Sequence, residues 1–482
     1  MQKPSKDSSI SKQAVINLPP IQEWLRELGE YSDKFRKYGS FLKTQERLLK
    51  QIHEKLSTPS PMVCAFTAPP ASGKTHVIAL CGVYLVNNGF STCIVTPNNE
   101  LKFEFMKEMN DIRTNSVHDL PIITIGAYVK ERSNFEFALV DEAHNLRSAV
   151  ELDSQLVKSI NLEKGDKNYD NVVFSLETDN RFFARELSTE TAHDILQKIK
   201  GKPCEKTARR ILRTLSQWRC FVIASDTTCD LKFLSADPSK RNIIPAIKLL
   251  LFSATALNKE ELQFYCNIPL TYFNGAIHGQ HSFVPKKNVN YVHTPLGSTK
   301  EKIELTQKLL MQSSMRSLVL LNNNRKCLIW NKIITQQSEL ENRVVMIKSG
   351  LNYRKRMDLY RKFIKKQNGI LITSSSVYWE GLNIKNLRLL IIPDVPFPKP
   401  TLLEIAERKG WSNKRIARGR LIQGIGRIGR SPNTSGLCVL LFNTKGFTNL
   451  VEIVPAEKVE RLVANLGTKD DQNKLVPNTI HG

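Results

Sequence analysis

The sequence predicts an α/β protein of two lobes, each built on a parallel sheet, with a mainly helical insertion in the first. Three observations carry that prediction. Short apolar runs rich in β-branched residues alternate with helical patterns in two sets along the 482-residue chain, the pattern of parallel strands wrapped by helices. The first set is interrupted by a stretch from about Ser148 to Ile244 that lacks this alternation and is rich in helix formers and positive charge. The motif-bearing strings also fall at the carboxyl ends of apolar runs, where parallel α/β sheets place their functional loops.

The elements follow in order. Residues 1–20 are polar, end in Pro19 and Pro20, and read as a flexible arm before a helical segment around Gln22 to Leu56. The first lobe takes residues 21–147, is interrupted by the insertion at 148–244, and returns over 245–285. Its strands are MVCAF, STCIVT, PIITI, FALVD and LLLFSAT. The longest apolar run, Val77 to Val86, is far short of the roughly 20 residues a bilayer span requires, and it reads as a buried helix. The second lobe, 286–482, has the strands VNYVH, SLVLL, VVMI, GILIT, LRLLIIP and LCVLLF, then a helical piece and a polar tail that frays.

Composition sets the class of partner. Hydrophobic residues are 41% and charged residues 24% of the chain, a balance that suits real apolar cores. The formal charge of +24 is well beyond what solubility needs, and a polyanion held by phosphate neutralisation and counterion release explains it directly. Nucleic acid is the first candidate. A membrane surface is disfavoured, because no basic segment carries a dedicated apolar face. The start MQKPSKDSSISKQ lacks the apolar core of a secretion signal, so the expected location is cytoplasmic and nucleoid-associated, or nuclear, and not secreted. The nine cysteines include no CxxC pair, and Cys64, Cys81, Cys93 and Cys438 fall in apolar stretches where a free thiol acts as a small hydrophobe.

Three strings carry the chemistry. APPASGKT, Ala68 to Thr75, lies between a strand and an apolar helix, the setting of a phosphate-binding loop. Ser72 and Gly73 line the cradle, Lys74 reaches the β and γ oxygens, and the Thr75 hydroxyl ligates Mg2+ at the helix start. Ala68 and Ala71 stand where glycine would allow more freedom. In LVDEAHNL, Leu139 to Leu146, an apolar strand delivers Asp141 to hold Mg2+ through water, and Glu142 orients or deprotonates the attacking water. His144 is either packed or links the nucleotide to Ser253, Ala254 and Thr255. In QGIGRIGR, Gln423 to Arg430, the spacing puts Arg427 and Arg430 on one helix face, within reach of one γ-phosphate from the opposite lobe. Gln423 holds the lytic water or the γ oxygens, while Arg418 and Arg420 read as a solvated basic face. The expected cofactors are ATP and Mg2+.

Together these strings resemble superfamily 2 helicases of the DEAH type, and among them the XPD/DinG family. DEAHNL, SSSVYWEGLNI (Ser374 to Ile384), IIPDVPFPKP ending at Pro400, and RLIQGIGRIGR carry the resemblance across both lobes. It implies two RecA-like motor domains, ATP hydrolysis, and movement along single-stranded nucleic acid, usually DNA, in the 5′ to 3′ direction. By position it also implies that Gln45 in FLKTQ contacts adenine and that Glu380 and Gly381 help to bind the nucleotide. Thr96 in VTPNNEL would touch the nucleic-acid backbone, with Asn322 and Arg325 contributing from the second lobe.

The departures matter as much. Many family members carry four cysteines between the phosphate loop and the DEAH segment that hold an iron–sulfur cluster, whereas this chain has only Cys81 and Cys93 there. No cluster is expected, and strong duplex unwinding is not implied. Asn383 replaces the family's aspartate in WEGxD and Glu104 a usual glutamine, both bearing on coupling between the ATP site and the track. DinG-like proteins of CRISPR systems or mobile elements depart from the cluster pattern too. The insertion sits where the family has its arch, and KIKGKPCEKTARRILRTLSQWR offers Arg209, Arg210 and Arg213 to phosphates and Trp218 to a base. A solvated basic helix explains the same composition equally well. The leading expectation is an ATP-dependent DNA helicase or translocase; the alternative is an ATP-latched binding or remodelling subunit of a larger protein complex.

Overall fold

Strands buried on both faces must be apolar at nearly every position, and the runs that meet this condition form two sheets. The computed structural model describes residues 16–57, 63–68, 72–113, 119–131, 135–153, 155–174, 183–201, 203–224, 228–237, 248–254, 257–266, 286–375, 378–379, 384, 386–398, 401–407, 413–430, 435–443 and 456–467. In the first lobe, β1 (Val63–Thr67), β2 (Thr92–Thr96), β3 (Ile122–Thr124), β4 (Phe137–Val140) and β9 (Lys248–Ser253) pair in the order β1-β9-β4-β2-β3. Every pairing is parallel. In the second, β10 (Val289–His293), β11 (Ser317–Leu320), β12 (Val344–Ile347), β13 (Ile370–Thr373), β14 (Leu389–Ile392) and β15 (Gly436–Leu440) pair in the order β10-β15-β14-β11-β13-β12, again all parallel.

Alternate residues of a strand face opposite sides, so each sheet has two cores. Cys64, Phe66, Ile94, Leu139 and Phe252 pack with the helix Lys74–Asn87 on one face of lobe 1; Val63, Cys93, Val95, Val140 and Leu251 fill the other. Cys81 belongs to the first core and Cys93 to the second, so the sheet separates them. The run Val77 to Leu85 is buried throughout, as expected of a buried helix. Among the described residues no helix is long and apolar enough to cross a membrane.

The last residues of the arm predicted for 1–20 are packed on the first lobe. Residues 1–15 lie outside the described residues, but Ile16 is buried in the lobe 1 core and the Pro19 carbonyl bonds the His53 ring at 2.8 Å. One apolar residue with a packed site outweighs the polar composition around it. Helices follow at Ile21–Tyr31, Asp33–Tyr38 and Lys43–Leu56. The predicted tail beyond Gly467 lies outside the described residues.

The insertion corrects a second expectation. Helices do form, at Lys167–Phe174, Thr189–Lys198 and Cys204–Leu212, but they pack on a four-stranded antiparallel sheet. Its strands β5 (Val157–Glu163), β6 (Phe183–Leu187), β7 (Trp218–Ala224) and β8 (Thr228–Ser235) run in the order β5-β8-β7-β6. The reason is periodicity. An antiparallel strand covered on one face alternates apolar and polar residues, as TCDLKF of β8 does, whereas the apolar run CFVIA of β7 is a strand signal that the helical expectation overlooks.

A short helix of lobe 2, Leu402–Ala406, crosses to the other lobe. Leu402, Leu403 and Ala406 are buried in a lobe 1 core. Around it Glu404 accepts from Arg147 at 2.5 Å and from the Tyr265 hydroxyl at 2.7 Å, and Arg219 of the insertion donates to the Ala406 carbonyl at 2.7 Å. Arg356 pairs with the buried Glu100, and Phe103 stacks on Tyr353 at 5.1 Å, adding to the contact between lobes.

Candidate active site between the lobes

The chain turns into the helix Lys74–Asn87 at Gly73. Gly73 sits in the left-handed region at φ +79° and caps the helix Lys74–Asn87, so the helix N-terminus and its free amides open toward the cleft. A Cβ at Gly73 would meet the Gln45 amide nitrogen at 2.4 Å. Gln45 itself is buried; its side-chain oxygen accepts from the Leu42 amide at 3.1 Å, and its nitrogen lies 3.5 Å from the Gly73 carbonyl. The predicted adenine contact is thus placed against the loop.

Lys74 lies between the two acidic residues of the DEAH segment, 2.9 Å from Asp141 and 2.7 Å from Glu142. Burial works to lower its pKa, and the two carboxylates more than reverse that, so the ammonium stays charged. Burial likewise pushes Glu142 up, but Lys74, His144 and Arg427 hold it below the usual carboxylate range. Asp141 goes the other way, raised by burial against the pull of Lys74, with Glu142 adding to the rise. Glu142 also adopts φ 47° and ψ 51° at the head of the turn Ala143–Ser148. A non-glycine residue held there costs about 1–3 kcal/mol, and such outliers cluster at functional sites.

Lobe 2 closes the cleft from the other side. The Gln423 amide donates to Glu142 at 3.2 Å, and Arg427 faces the same carboxylate while gripping the Trp379 carbonyl through Nε at 3.2 Å and Nη2 at 3.0 Å. Glu142 and Glu104 also face Arg430, whose Nε donates to the Gly426 carbonyl at 3.2 Å. The predicted helix face is corrected here. The helix Asn413–Ile425 ends before either arginine, and both stand in a turn whose Gly429 takes φ +62°. Glycines at 424, 426 and 429 make continuation of the helix unfavourable. The turn still aims Arg427 at Glu142.

His144 bonds the Ser253 hydroxyl at 3.2 Å, joining the DEAH segment to the end of β9. Thr255, Glu380, Gly381, Ala71 and Asn383 lie outside the described residues. The cleft also fits a nucleotide with a metal in its donor set. The Ser72 hydroxyl and the Gln423 side-chain oxygen are buried without a hydrogen-bond partner, and Thr75 with Asp141 supplies the hydroxyl and carboxylate oxygens that Mg2+ prefers.

The residues expected at the nucleic-acid track divide. Thr96 is fully buried, and its hydroxyl donates to the Asn98 carbonyl at 3.1 Å and lies 3.3 Å from that of Ile123. It shapes the loop rather than facing a strand, and Asn99 is the exposed residue there. Asn322 and Arg325 follow β11; the Asn322 nitrogen donates to the Val395 carbonyl at 2.7 Å while its oxygen is buried without a partner, and Arg325 is exposed. On the insertion, Arg209, Arg210 and Arg213 are exposed. Trp218 is half-buried, with the Lys158 ammonium 4.1 Å above its ring and its nitrogen donating to Thr214. That face of the ring is already covered by a cation.

Sequence reasoning missed the Trp379 carbonyl that grips Arg427 and the Arg147–Glu404 pair. Neither has a local signature: a carbonyl has no side chain to read, and Glu404 is 257 residues from Arg147.

Residues 301–432 match the helicase conserved C-terminal domain family. No curated protein matches the chain. Among solved structures, S. cerevisiae Dbp5 bound to RNA and ADP BeF3 is similar over 94% of this chain and 98% of its own, at 15% identity and TM-score 0.52. A structure titled XPD_APO is similar over 83% of this chain and 95% of its own, at 14% identity and TM-score 0.50. S. tokodaii Xpd4 covers 89% of this chain and 99% of its own, at 13% identity and TM-score 0.50. At these identities the likeness speaks for the fold. The chain is a pair of RecA-like lobes, and the second contains a helicase conserved C-terminal domain.

Proposed function

We propose that the protein is an ATP-driven motor of the XPD/DinG type that moves on single-stranded DNA in the 5′ to 3′ direction. The observation that supports this best is the meeting of Lys74, Asp141 and Glu142 from one lobe with Gln423 and Arg427 from the other. Such a set suits phosphoryl transfer to water. Amides at the head of the helix Lys74–Asn87, with Lys74, hold the phosphates, while Gln423 and Glu142 orient the water and Glu142 accepts its proton. Arg427, with Arg430 beside it, offsets charge developing on the transferred group. Thr75 and Asp141 would hold Mg2+, which when bound neutralises charge on the phosphate oxygens.

Because Glu142 takes bonds from both lobes, hydrolysis and lobe closure depend on one another, which is what a motor needs. His144 extends that link to Ser253. The basic face of Arg209, Arg210 and Arg213, together with the +24 charge, favours a polyanionic track. DNA and direction rest on the motif resemblance. The opposite sheet faces taken by Cys81 and Cys93 support a reading without an iron–sulfur cluster.

The test is ATP hydrolysis with single-stranded DNA, single-stranded RNA and duplex in parallel, followed by unwinding of substrates with 5′ or 3′ overhangs. Single-stranded DNA should stimulate most, and Lys74→Ala and Glu142→Gln should abolish turnover. Hydrolysis indifferent to any strand would sink the motor reading; stronger stimulation by RNA would move the track to RNA.

A further inference from the structure

We infer that Lys286, at the start of the second lobe's sheet, is a positioning residue that fixes the turn carrying Arg427 and Arg430; this rests on the reading of the cleft given above. Its ammonium donates to the carbonyls of Gly426 at 3.2 Å and Ile428 at 2.7 Å, the residues on either side of Arg427. Both carbonyls lie just past the end of the helix Asn413–Ile425, where backbone acceptors lack helical partners and a cation meets the negative end of the dipole.

Lys286 is itself held firmly. Its amide donates to the Tyr291 hydroxyl at 3.1 Å, and its carbonyl accepts from the Val289 amide at 3.1 Å. The lysine therefore reaches from a fixed point before β10 to the arginine turn. A second contact joins the same two segments: a Cβ at Gly429 would lie 2.2 Å from Val289 Cγ2, so the turn is pressed against β10.

A lysine is a costly choice at this place on charge grounds. Burial and the guanidinium groups of Arg430 and Arg427 bring its ammonium down to about 8, with only the Cys438 thiol opposing. The Tyr291 hydroxyl, bonded by the Lys286 amide, is a further titratable neighbour. Burial and two neighbouring arginines both oppose a third cation here, against the favourable helix dipole. What its two hydrogen bonds add is a rigid seat from which Arg427 reaches the cleft.

The test compares Lys286→Met, Lys286→Arg, Arg427→Ala and the Met/Ala double variant in the full chain. Lys286→Met should lower kcat for strand-stimulated ATP hydrolysis by about tenfold or more while leaving the Kd for a fluorescent ADP analogue within about threefold, because the phosphate loop is untouched. Lys286→Arg keeps donors and charge and should recover most of kcat. On an Arg427→Ala background the Met substitution should add less than about a twofold further loss, since the lysine acts through that arginine. Without nucleotide, amide exchange over residues 426–430 should quicken in Lys286→Met and not in Lys286→Arg. Unchanged kcat and exchange in Lys286→Met, or losses that multiply in the double variant, would overturn the positioning role alone. A wild-type chain with no ATP hydrolysis would overturn the cleft reading and this role with it.

Discussion

Replacing Glu404 by Gln takes one charge from a buried pair that holds the lobes together. The Glu404 carboxylate is 3% exposed and the Arg147 side chain 12%, so solvent screens the pair little. The amide can still accept from Tyr265, but Arg147 is left as a buried cation without its counter-ion. Breaking such a pair by removing one partner costs about 3–5 kcal/mol. A lobe of this size shifts its melting midpoint by roughly 2–4 °C per kcal/mol, so a fall on the order of 10 °C is expected. The pH dependence has a definite sign. Burial works to raise Glu404, and the Thr401 amide, Tyr265 and Arg147 reverse it, so its pKa lies below the usual carboxylate range. A lowered carboxylate contributes stability above its unfolded value and loses it as pH falls through the folded one. The gap between wild type and Glu404→Gln should therefore be full near neutrality and close below about pH 4. Thermal melts followed by circular dichroism across that range, with Arg147→Met and the double variant, measure it. The double variant should be more stable than Glu404→Gln alone, because an apolar side chain replaces the orphaned cation. A loss under about 1 kcal/mol, or a double variant whose loss is the sum of the singles, would refute the argument.

Gly429→Ala should combine left-handed strain of about 1–2 kcal/mol with the clash on Val289, and should lower both the melting point and ATP turnover; Gly350→Ala, with φ +85° and nothing within 4 Å, controls for strain alone. If the two behave alike in turnover, the packing of the turn on β10 is not what matters. Replacing Arg209, Arg210 and Arg213 together by Ala should flatten the slope of log affinity for a single strand against log salt by about 2, at roughly 0.7 per phosphate contact; an unchanged slope makes that face a merely solvated one. Alkylation of the native protein should label Cys204, which is partly exposed, before the buried Cys64 and Cys327 at about 11 and Cys220 and Cys229 at about 12. Mass spectrometry of the labelled peptides reads the order, and prior labelling of any of the four would contradict their burial.

By itself the sequence determined what short-range chemistry can specify. The runs from MVCAF to LCVLLF became the strands of the two sheets because a strand covered on both faces must be apolar at nearly every position, a condition visible in a handful of adjacent residues. SGKT and DEAH were legible for a similar reason, since each is a run of adjacent residues at the end of an apolar strand: Lys74 opens the helix after β1, and Asp141 and Glu142 follow β4. The amphipathic strands of the insertion were not legible, since VKSINLE looks as much like a helix face as a strand edge until a partner pairs with it. Only the tertiary structure decided that Arg427 stands on a turn rather than a helix, that Thr96 is buried, that Arg147 meets Glu404, and that Lys286 reaches the carbonyls of Gly426 and Ile428. Each of these depends on groups distant in the chain and close in space, so no local pattern encodes them, and burial then sets their hydrogen bonds and their charge.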